Sequence, residues 1–590
     1  MAISDPNRVF DYFDNLLGGV DGGRHPSLLE RNQLSKLVNG TLRGGCAVTR
    51  PGFPALTLKF DDEQTRLNFE RGMIQGAAYY SSNNGRIIAS VSGRIYSISP
   101  NGAASDITPS TGRKNSQSLP QAWFCQAEQY MIVQNGQDKA IIIEGGVARR
   151  SDPTERIMDE SDPPVEIPAP EVPTGTAMAF GQGRLVVAST DGTQFVIGDI
   201  AGGATNVLTF SDLKFLNEAP AFSMPRQLGT IVGAVFIAQQ DTGTGIGNLL
   251  VIGTRGILAM DLSIPRPQWL DSDISRIALL GSGGTSAGSI VLVNGDVIYR
   301  SFDGVRSFRM ARAEEGGWGK TPISREMNQY VSRDTQFWLQ FASAVNFDNR
   351  LLMTVAPQKN GDNFSHLGMV VIDFDTLRSL GQKAPPVWDG LWTGINPRSL
   401  LTGLFENVER CFAVCNDADG VNRIYEITRS ETFDVDNLRI EAALETRLMD
   451  FESPYSQKEL ISLDLWLTDI IGETEFTVKW RPDDYAGWQT WHSFTECAGF
   501  KTCNPLDCDV QNLLPQQRAR RVMPAMPDIP SEDGTNRNLK FGYSFQIRIE
   551  WKGHAKISRC RVHAMSKDDS TLSACDFDAS GQCSTLAICP

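Results

Sequence analysis

One pattern governs what this chain can fold into. A polar turn, an apolar strand, a Gly/Asn/Asp turn and a second apolar strand recur seven times, at 85–99, 128–145, 183–199, 248–262, 288–304, 349–375 and 409–428. Their starts lie 40 to 65 residues apart. A lone hairpin cannot bury its apolar face. Hairpin sheets stacked radially about an axis can, and the repeat length suits a four-stranded blade with loop insertions. The expected fold is therefore all-β: a β-propeller of about seven blades, with few helices. A sandwich of the same turn density is the competing arrangement.

Three segments interrupt the hairpins. Residues 151–176 carry six prolines and several acids, which suits an extended spacer. Residues 323–342, following Pro322, form the best helix candidate. Residues 1–60 contain no such hairpin and are expected to be an irregular lead-in. The propeller is then expected over 61–435. Across 436–566 the strands lengthen and alternate strictly, and Trp466, Trp480, Trp488, Trp491 and Trp551 cluster there. That alternation reads as an antiparallel β-sandwich. Residues 567–590 are small and polar, a C-terminal tail.

Composition removes whole classes of function. With 55 Lys plus Arg against 69 Asp plus Glu, the net charge is −14. Such a chain is poorly suited to gripping nucleic acid by its phosphates, although an acidic wall suits a conduit for DNA. No apolar run is long enough to span a bilayer, and no signal peptide is read at the start. Seven of the eleven cysteines fall at 497, 503, 508, 560, 575, 583 and 589, with no C-x-x-C pair and five histidines in all. Free thiols are expected, and neither metal nor cofactor.

Motifs that could carry chemistry are weak. Gly284-Thr285-Ser286-Ala287-Gly288 matches G-x-S-x-G, but a strand follows where the nucleophile elbow needs a helix. Gly319-Lys320-Thr321 resembles the end of a P-loop, yet its first glycine is replaced by Glu314. Asp417, Asp419, Gly420 and Glu426 fit part of a calcium loop whose first position is Cys415, a poor ligand for a hard cation. An Asp-Gly hairpin turn explains the same residues.

The lead-in carries a more specific signal. Gly18-Gly19-Val20-Asp21 is followed by Pro26, Leu28-Leu29, Asn32-Gln33 and Val38-Asn39-Gly40-Thr41. Arg43-Gly44-Gly45 and Thr49-Arg50-Pro51-Gly52-Phe53 complete the passage. It resembles the N-terminus of tail structural proteins of tailed bacteriophages, in which such a passage precedes a β-propeller. Thr321-Pro322-Ile323-Ser324 with Ala344-Val345-Asn346-Phe347-Asp348-Asn349-Arg350-Leu351-Leu352, and Phe451-Glu452-Ser453-Pro454 with Lys458, are similar to the same group.

The resemblance implies a non-enzymatic tail nozzle or hub of a short-tailed phage. It implies a homo-oligomeric ring, taken as a hexamer, that contacts adaptor and fibre or spike proteins. Double-stranded DNA would pass through it during genome ejection. The chain would be assembled in the host cytoplasm and reside in the virion, without a membrane span. A host-surface glycan-binding module using Trp488 and Trp491 is the alternative, followed by a glycan-degrading enzyme. Within the lead-in, Arg50, Pro51 and Gly52 are expected to fix a turn near the first blade. The spacer acids Asp152, Glu155, Asp159, Glu160, Asp162, Glu166 and Glu171 are candidates to line the lumen, where a low-dielectric wall focuses their field.

Overall fold

The structure, a computed structural model, describes residues 8–110, 114–152, 156–158, 166–168, 171–200, 206–210, 221–237, 248–263, 268–269, 272–313, 321–375, 387–497, 519–530 and 538–566. The chain forms two compact units. One comprises Pro51–Ile372 and Trp392–Asn437; the other comprises Met1–Arg50, Asp373–Leu391 and Leu438–Pro590. Strands dominate both. Among the described residues no helix is long and apolar enough to cross a membrane.

The first unit is a β-propeller. Six separate sheets of three to five strands, together with the run Ala344–Phe347, Arg350–Asn360 and Asn363–Asp373, follow the seven hairpins in chain order. The innermost strands are Ile74–Tyr80, Trp123–Ala127, Met178–Gly181, Ile231–Phe236, Val291–Val293, Ala344–Phe347 and Pro397–Phe405. Neighbours in this series pack together, the fourth reaching the fifth sheet through the 3-10 turn Ala287–Ser289. The last strand lies against the first and closes the circle.

Side-chain alternation explains the stacking. In Arg86–Val91, residues Ile87, Ala89 and Val91 join Phe405, Phe412 and Val414 of the last sheet. Ile88 between them joins Met131, Val133 and Ile141 of the second. In Tyr130–Gln134, Met131 and Val133 face the first sheet, while Tyr130 and Ile132 face Leu185 and Val187 of the third. Each sheet is thus apolar on both faces, as its near-continuous hydrophobic strands require.

The last sheet has three strands of its own, Pro397–Phe405, Val408–Asn416 and Asn422–Ile427. Its outer edge is completed by the start of the unit. Ala55 bridges Tyr425 antiparallel, Leu56 N–H donates to Ile424 O (2.8 Å) and Glu426 N–H donates to Pro54 O (2.9 Å). The expected turn at Arg50-Pro51-Gly52 is replaced by a stretch without turn structure. Its anchors are nonlocal. Arg50 N–H donates to Asn39 O (3.0 Å), and Gly52 N–H donates to Glu431 O (2.7 Å), beyond the last blade rather than near the first.

The second unit overturns the expectation of an irregular lead-in. Arg8–Phe13 pairs along Phe545–Ser566, and Gln33–Val38 pairs with Glu441–Thr446. The N-terminal residues are therefore strands of the C-terminal unit. A period-two reading misses them because their partners lie more than 400 residues away. The antiparallel strands expected over 436–566 are present. Lys458–Pro482 and Phe545–Ser566 form a long antiparallel pair to which Arg8–Phe13, Glu441–Thr446, Gln489–Cys497 and Ala519–Val522 are added. Register shifts around Ile471, with Asp469 (φ 51°), Gly472 (φ 67°) and Gly553 (φ 126°), interrupt its ladder midway.

The expected helix at 323–342 is broken into Arg325–Met327, Asn328–Val331 and Gln336–Phe341. The residues at the break are held by neighbouring strands. Arg300 donates to Val331 O (2.9 Å) and to Asp334 (3.1 Å), and Asp334 also accepts Ala356 N–H (2.8 Å). These bonds tie the segment between the second and third pieces to the strands Asp296–Ser301 and Arg350–Asn360.

Gly52 is the tightest point of the closure. A Cβ there would stand 1.9 Å from Phe433 O. Gly52→Ala should therefore destabilise the propeller by about 1–3 kcal/mol. Thermal unfolding followed by far-UV circular dichroism checks this, and an unchanged midpoint would remove Gly52 from the closure.

Candidate functional site: the axial cavity

The seven inner strands converge on a cavity of about 190 Å³. Its wall takes Gln75–Ala78 from the first sheet, Gln121–Phe124 from the second, and Met178 and Ala234 from the third and fourth. Ser286–Gly288 of the fifth, Ala342–Ser343 with Gln340 of the sixth and Arg398–Leu400 of the seventh complete it. Small side chains suit this position, since inner strands meet closely at the axis.

Arg398 is the one charged residue in that wall among the described residues. It follows Pro397 at the start of the inner strand Pro397–Phe405 and is 5% exposed. Its Nη1 donates to Phe341 O (3.3 Å), and its Nη2 to Gln75 O (3.4 Å) and Pro120 O (3.1 Å). The guanidinium carbon also lies 4.8 Å from the centre of the Phe341 ring. The Nε–H is buried without a hydrogen-bond partner among the described residues. Desolvation pushes its pKa down to about 10.

The polar neighbours are already committed. Gln75 donates to Ser116 O and Leu119 O and accepts from Ser90 Oγ and Gly93 N–H. Ser286, the serine of the G-x-S-x-G match, is buried and donates to Ala342 O (2.6 Å). A carbonyl cannot accept its proton as a general base would. Behind the wall, His366 holds Pro397 O at 3.0 Å through Nδ1, which must carry the proton because a carbonyl only accepts.

Other candidates from the sequence find local partners. Asp417 accepts from Arg423 (2.6 Å) and Tyr425 OH (2.6 Å), Asp419 accepts from Arg423 (2.8 Å), and Glu426 accepts from Arg410 (2.7 Å). This is an arginine-latched hairpin turn with Gly420 at φ 77°. Among the described residues no group of His, Cys, Asp and Glu is arranged to hold a metal. Gly319 and Lys320 lie outside the described residues.

Of the spacer acids, Asp152 is exposed, 3.6 Å from Lys139. Glu171 takes both Arg149 Nη groups, at 3.0 and 2.7 Å, and accepts Asp152 N–H at 2.7 Å. Glu166 belongs to the short strand Glu166–Pro168, paired with Arg156–Met158. Glu155, Asp159, Glu160 and Asp162 lie outside the described residues. Neither Asp152 nor Glu171 is in the wall of the axial cavity.

In the second unit Trp491 is buried and donates to Pro524 O (3.0 Å). Trp488 is half-buried, with the Arg481 guanidinium 4.3 Å and that of Arg548 5.8 Å from its ring centre. Sequence reasoning missed Arg398 and His366. The available signal was a cation opening an apolar strand and a histidine inside another.

No protein-family model matches the chain, and no curated protein does. Among solved structures the chain is similar to BBS1N crystallised in complex with ARL6DN: 11% identity, 65% of this chain and 99% of that one, TM-score 0.34. It is also similar to virginiamycin B lyase from Staphylococcus aureus, at 10% identity over 61% and 96% of the two chains, TM-score 0.32. A third is the computationally designed Ika8 protein, at 11% identity over 64% and 100%, TM-score 0.29. The propeller is defined by its own sheets and not by these likenesses.

His366 gives the propeller a pH dependence. Burial, reinforced by Arg398 and Arg300 and opposed by the Pro397 carbonyl, depresses its pKa to about 3. The unfolded chain takes up that proton near pH 6.5. The contribution is therefore fully present above about pH 6.5 and is lost as pH falls toward 3, by at most about 1.4 kcal/mol per unit. His366→Gln keeps a donor for Pro397 O and should flatten the slope between about pH 7 and 5. Urea unfolding of both proteins reads the difference, and equal slopes would show that His366 is not held neutral.

Proposed function

We propose that this chain is a non-enzymatic structural component of a bacteriophage tail, a nozzle or hub ring through which the genome passes. The observation that carries the reading is where the residues of the phage-like passage spend their polar groups: on joining segments of their own unit. Asn39 donates to Glu441 O (2.8 Å), accepts from Arg50 Nε (3.0 Å) and bonds Leu391 O through its N–H (2.8 Å). Thr41 donates to the buried Asp389 (2.7 Å), which also accepts Leu42 N–H (2.9 Å). Arg43 donates to the buried Asp373 (2.8 Å). Thr49 donates to Gly553 O (2.9 Å) and accepts from Trp551 Nε1 (2.9 Å).

The two other phage-like stretches behave alike. Lys458 is fully buried and donates to Ser453 O, Ser456 O (2.7 Å) and Tyr543 O (2.8 Å), clamping the loop that begins at Phe451. Asp348 and Asn349, both at positive φ, form the tight turn between Ala344–Phe347 and Arg350–Asn360. These motifs are joints of a rigid framework, which is what a particle component requires of them. An arrangement of copies that closes by rotation makes a ring with a lumen. The net charge of −14 per chain suits a wall past which DNA slides without sticking.

The test is particle composition and shape. The protein should be present in purified virions, and electron microscopy should find it in a closed ring at the tail. Its absence from virions would end the reading. Trp491 supplies no free face for a sugar, so the glycan-binding alternative gains no support from it.

A further inference from the structure

We propose that the axial cavity of the propeller is a binding site for a small oxyanion, a phosphate or a short carboxylate, held by Arg398. The first ground is an unbalanced charge. A guanidinium has five N–H donors. Three of those of Arg398 reach carbonyls at 3.1–3.4 Å, long for such bonds, and Nε–H has no acceptor among the described residues. Burying a cation without a counter-charge is strongly unfavourable. Among the described residues the wall contains no Asp or Glu to supply one.

The second ground is a contrast with three other buried arginines of the same propeller. Arg300 meets Asp334 at 3.1 Å, Arg306 meets Asp303, and Arg350 meets Asp348 at 2.5 Å. Arg184 donates to Gly198 O (3.1 Å) and lies over the Trp269 ring (5.3 Å), whereas Arg398 faces the axial cavity and meets no carboxylate among the described residues.

The third ground is the rest of the wall. Ser343 Oγ accepts Leu400 N–H (2.9 Å), and its own hydroxyl hydrogen is donated to no residue among those described. Gln121 is half-buried, and its side-chain amide makes no hydrogen bond among the described residues. Both can donate to an anion. The apolar part of the wall, from Ala77, Ala122, Ala287 and Phe124, lowers the local dielectric and strengthens the attraction. A volume of about 190 Å³ admits an anion of a few heavy atoms and excludes a nucleotide or a polymer. The inference does not depend on the tail reading, since it concerns the axis of one chain.

The test titrates the full-length protein with inorganic phosphate and, separately, with acetate and succinate, in chloride buffer of matched ionic strength. Isothermal calorimetry and thermal unfolding should report saturable binding with one site per chain. Phosphate binding alone assigns the site to tetrahedral oxyanions, and acetate or succinate binding assigns it to carboxylates. Arg398→Gln should weaken affinity on the order of ten- to a hundredfold, the value of charge-assisted hydrogen bonds. Gln121→Glu leaves Arg398 in place but adds a carboxylate to the wall. It should abolish the anion response and raise the unfolding midpoint in anion-free buffer, which tests the idea even where Arg398→Gln fails to fold. No saturable response to any of the three anions, or a response unchanged in Gln121→Glu, overturns the proposal.

Discussion

The propeller depends on one constraint: its sheets are apolar on both faces. Adjacent residues of one strand belong to different interfaces. Leu249 and Val251 pack toward the third sheet, and Leu250 and Ile252 between them pack toward the fifth. A sheet of this kind can be satisfied only by neighbours on both sides, so the series has no natural end until it closes on itself. Closure is completed by chain that precedes the first sheet, since Pro54–Leu56 supply the outer edge of the last one. Separating the two ends of the unit would cost the propeller a strand edge and an interface together.

This constraint also decides what was legible in the sequence. The seven hairpins are local, and their continuous apolar strands, such as Ile141–Glu144 and Leu249–Gly253, declare double burial directly. What could not be read is nonlocal. Arg8–Phe13 and Gln33–Val38 are too short and mixed to register as strands alone, and become so only against Phe545–Ser566 and Glu441–Thr446. The helical pattern at 323–342 is real in periodicity, but the segment folds as three short pieces whose junction is held by nonlocal partners such as Arg300 on Asp334. Of the site, Ser286 was visible as a motif that misleads, whereas Arg398 was invisible. Nothing around Pro397-Arg398-Ser399 says that six other strands converge there.

In the second unit, arginines converge on buried carboxylates. Asp464 accepts from Arg561 (2.7 Å) and Arg520 (2.9 Å), and both guanidinium groups also lie over Trp466, at 5.5 and 5.3 Å. Burial pushes the Asp464 carboxyl up, but the bonds from Arg561, Arg520 and His563 outweigh it and leave the pKa below the usual range. Asp11, fully buried, receives Arg447 and the N–H of Phe451 (3.2 Å). Charge here locks strands to one another, including the N-terminal strand to the loop before Lys458–Pro482. These cations have counter-charges within the unit and need no ligand to explain them.

Set against those pairs, Arg398 is hard to account for by folding alone. A core position that needs only volume is served better by Met or Leu, and replacing buried ion pairs with apolar residues is often neutral or stabilising. The carbonyls of Phe341, Gln75 and Pro120 take three of its five N–H donors. The face of Phe341, 4.8 Å away, attracts the positive charge, but no carboxylate among the described residues balances it. It sits on the axis, where the wall comes from seven sheets whose positions are fixed by interfaces on both faces. A rigid wall cannot collapse to hide the group or move to pair it. The same double-sided packing that closes the propeller thus holds an uncompensated cation at its centre.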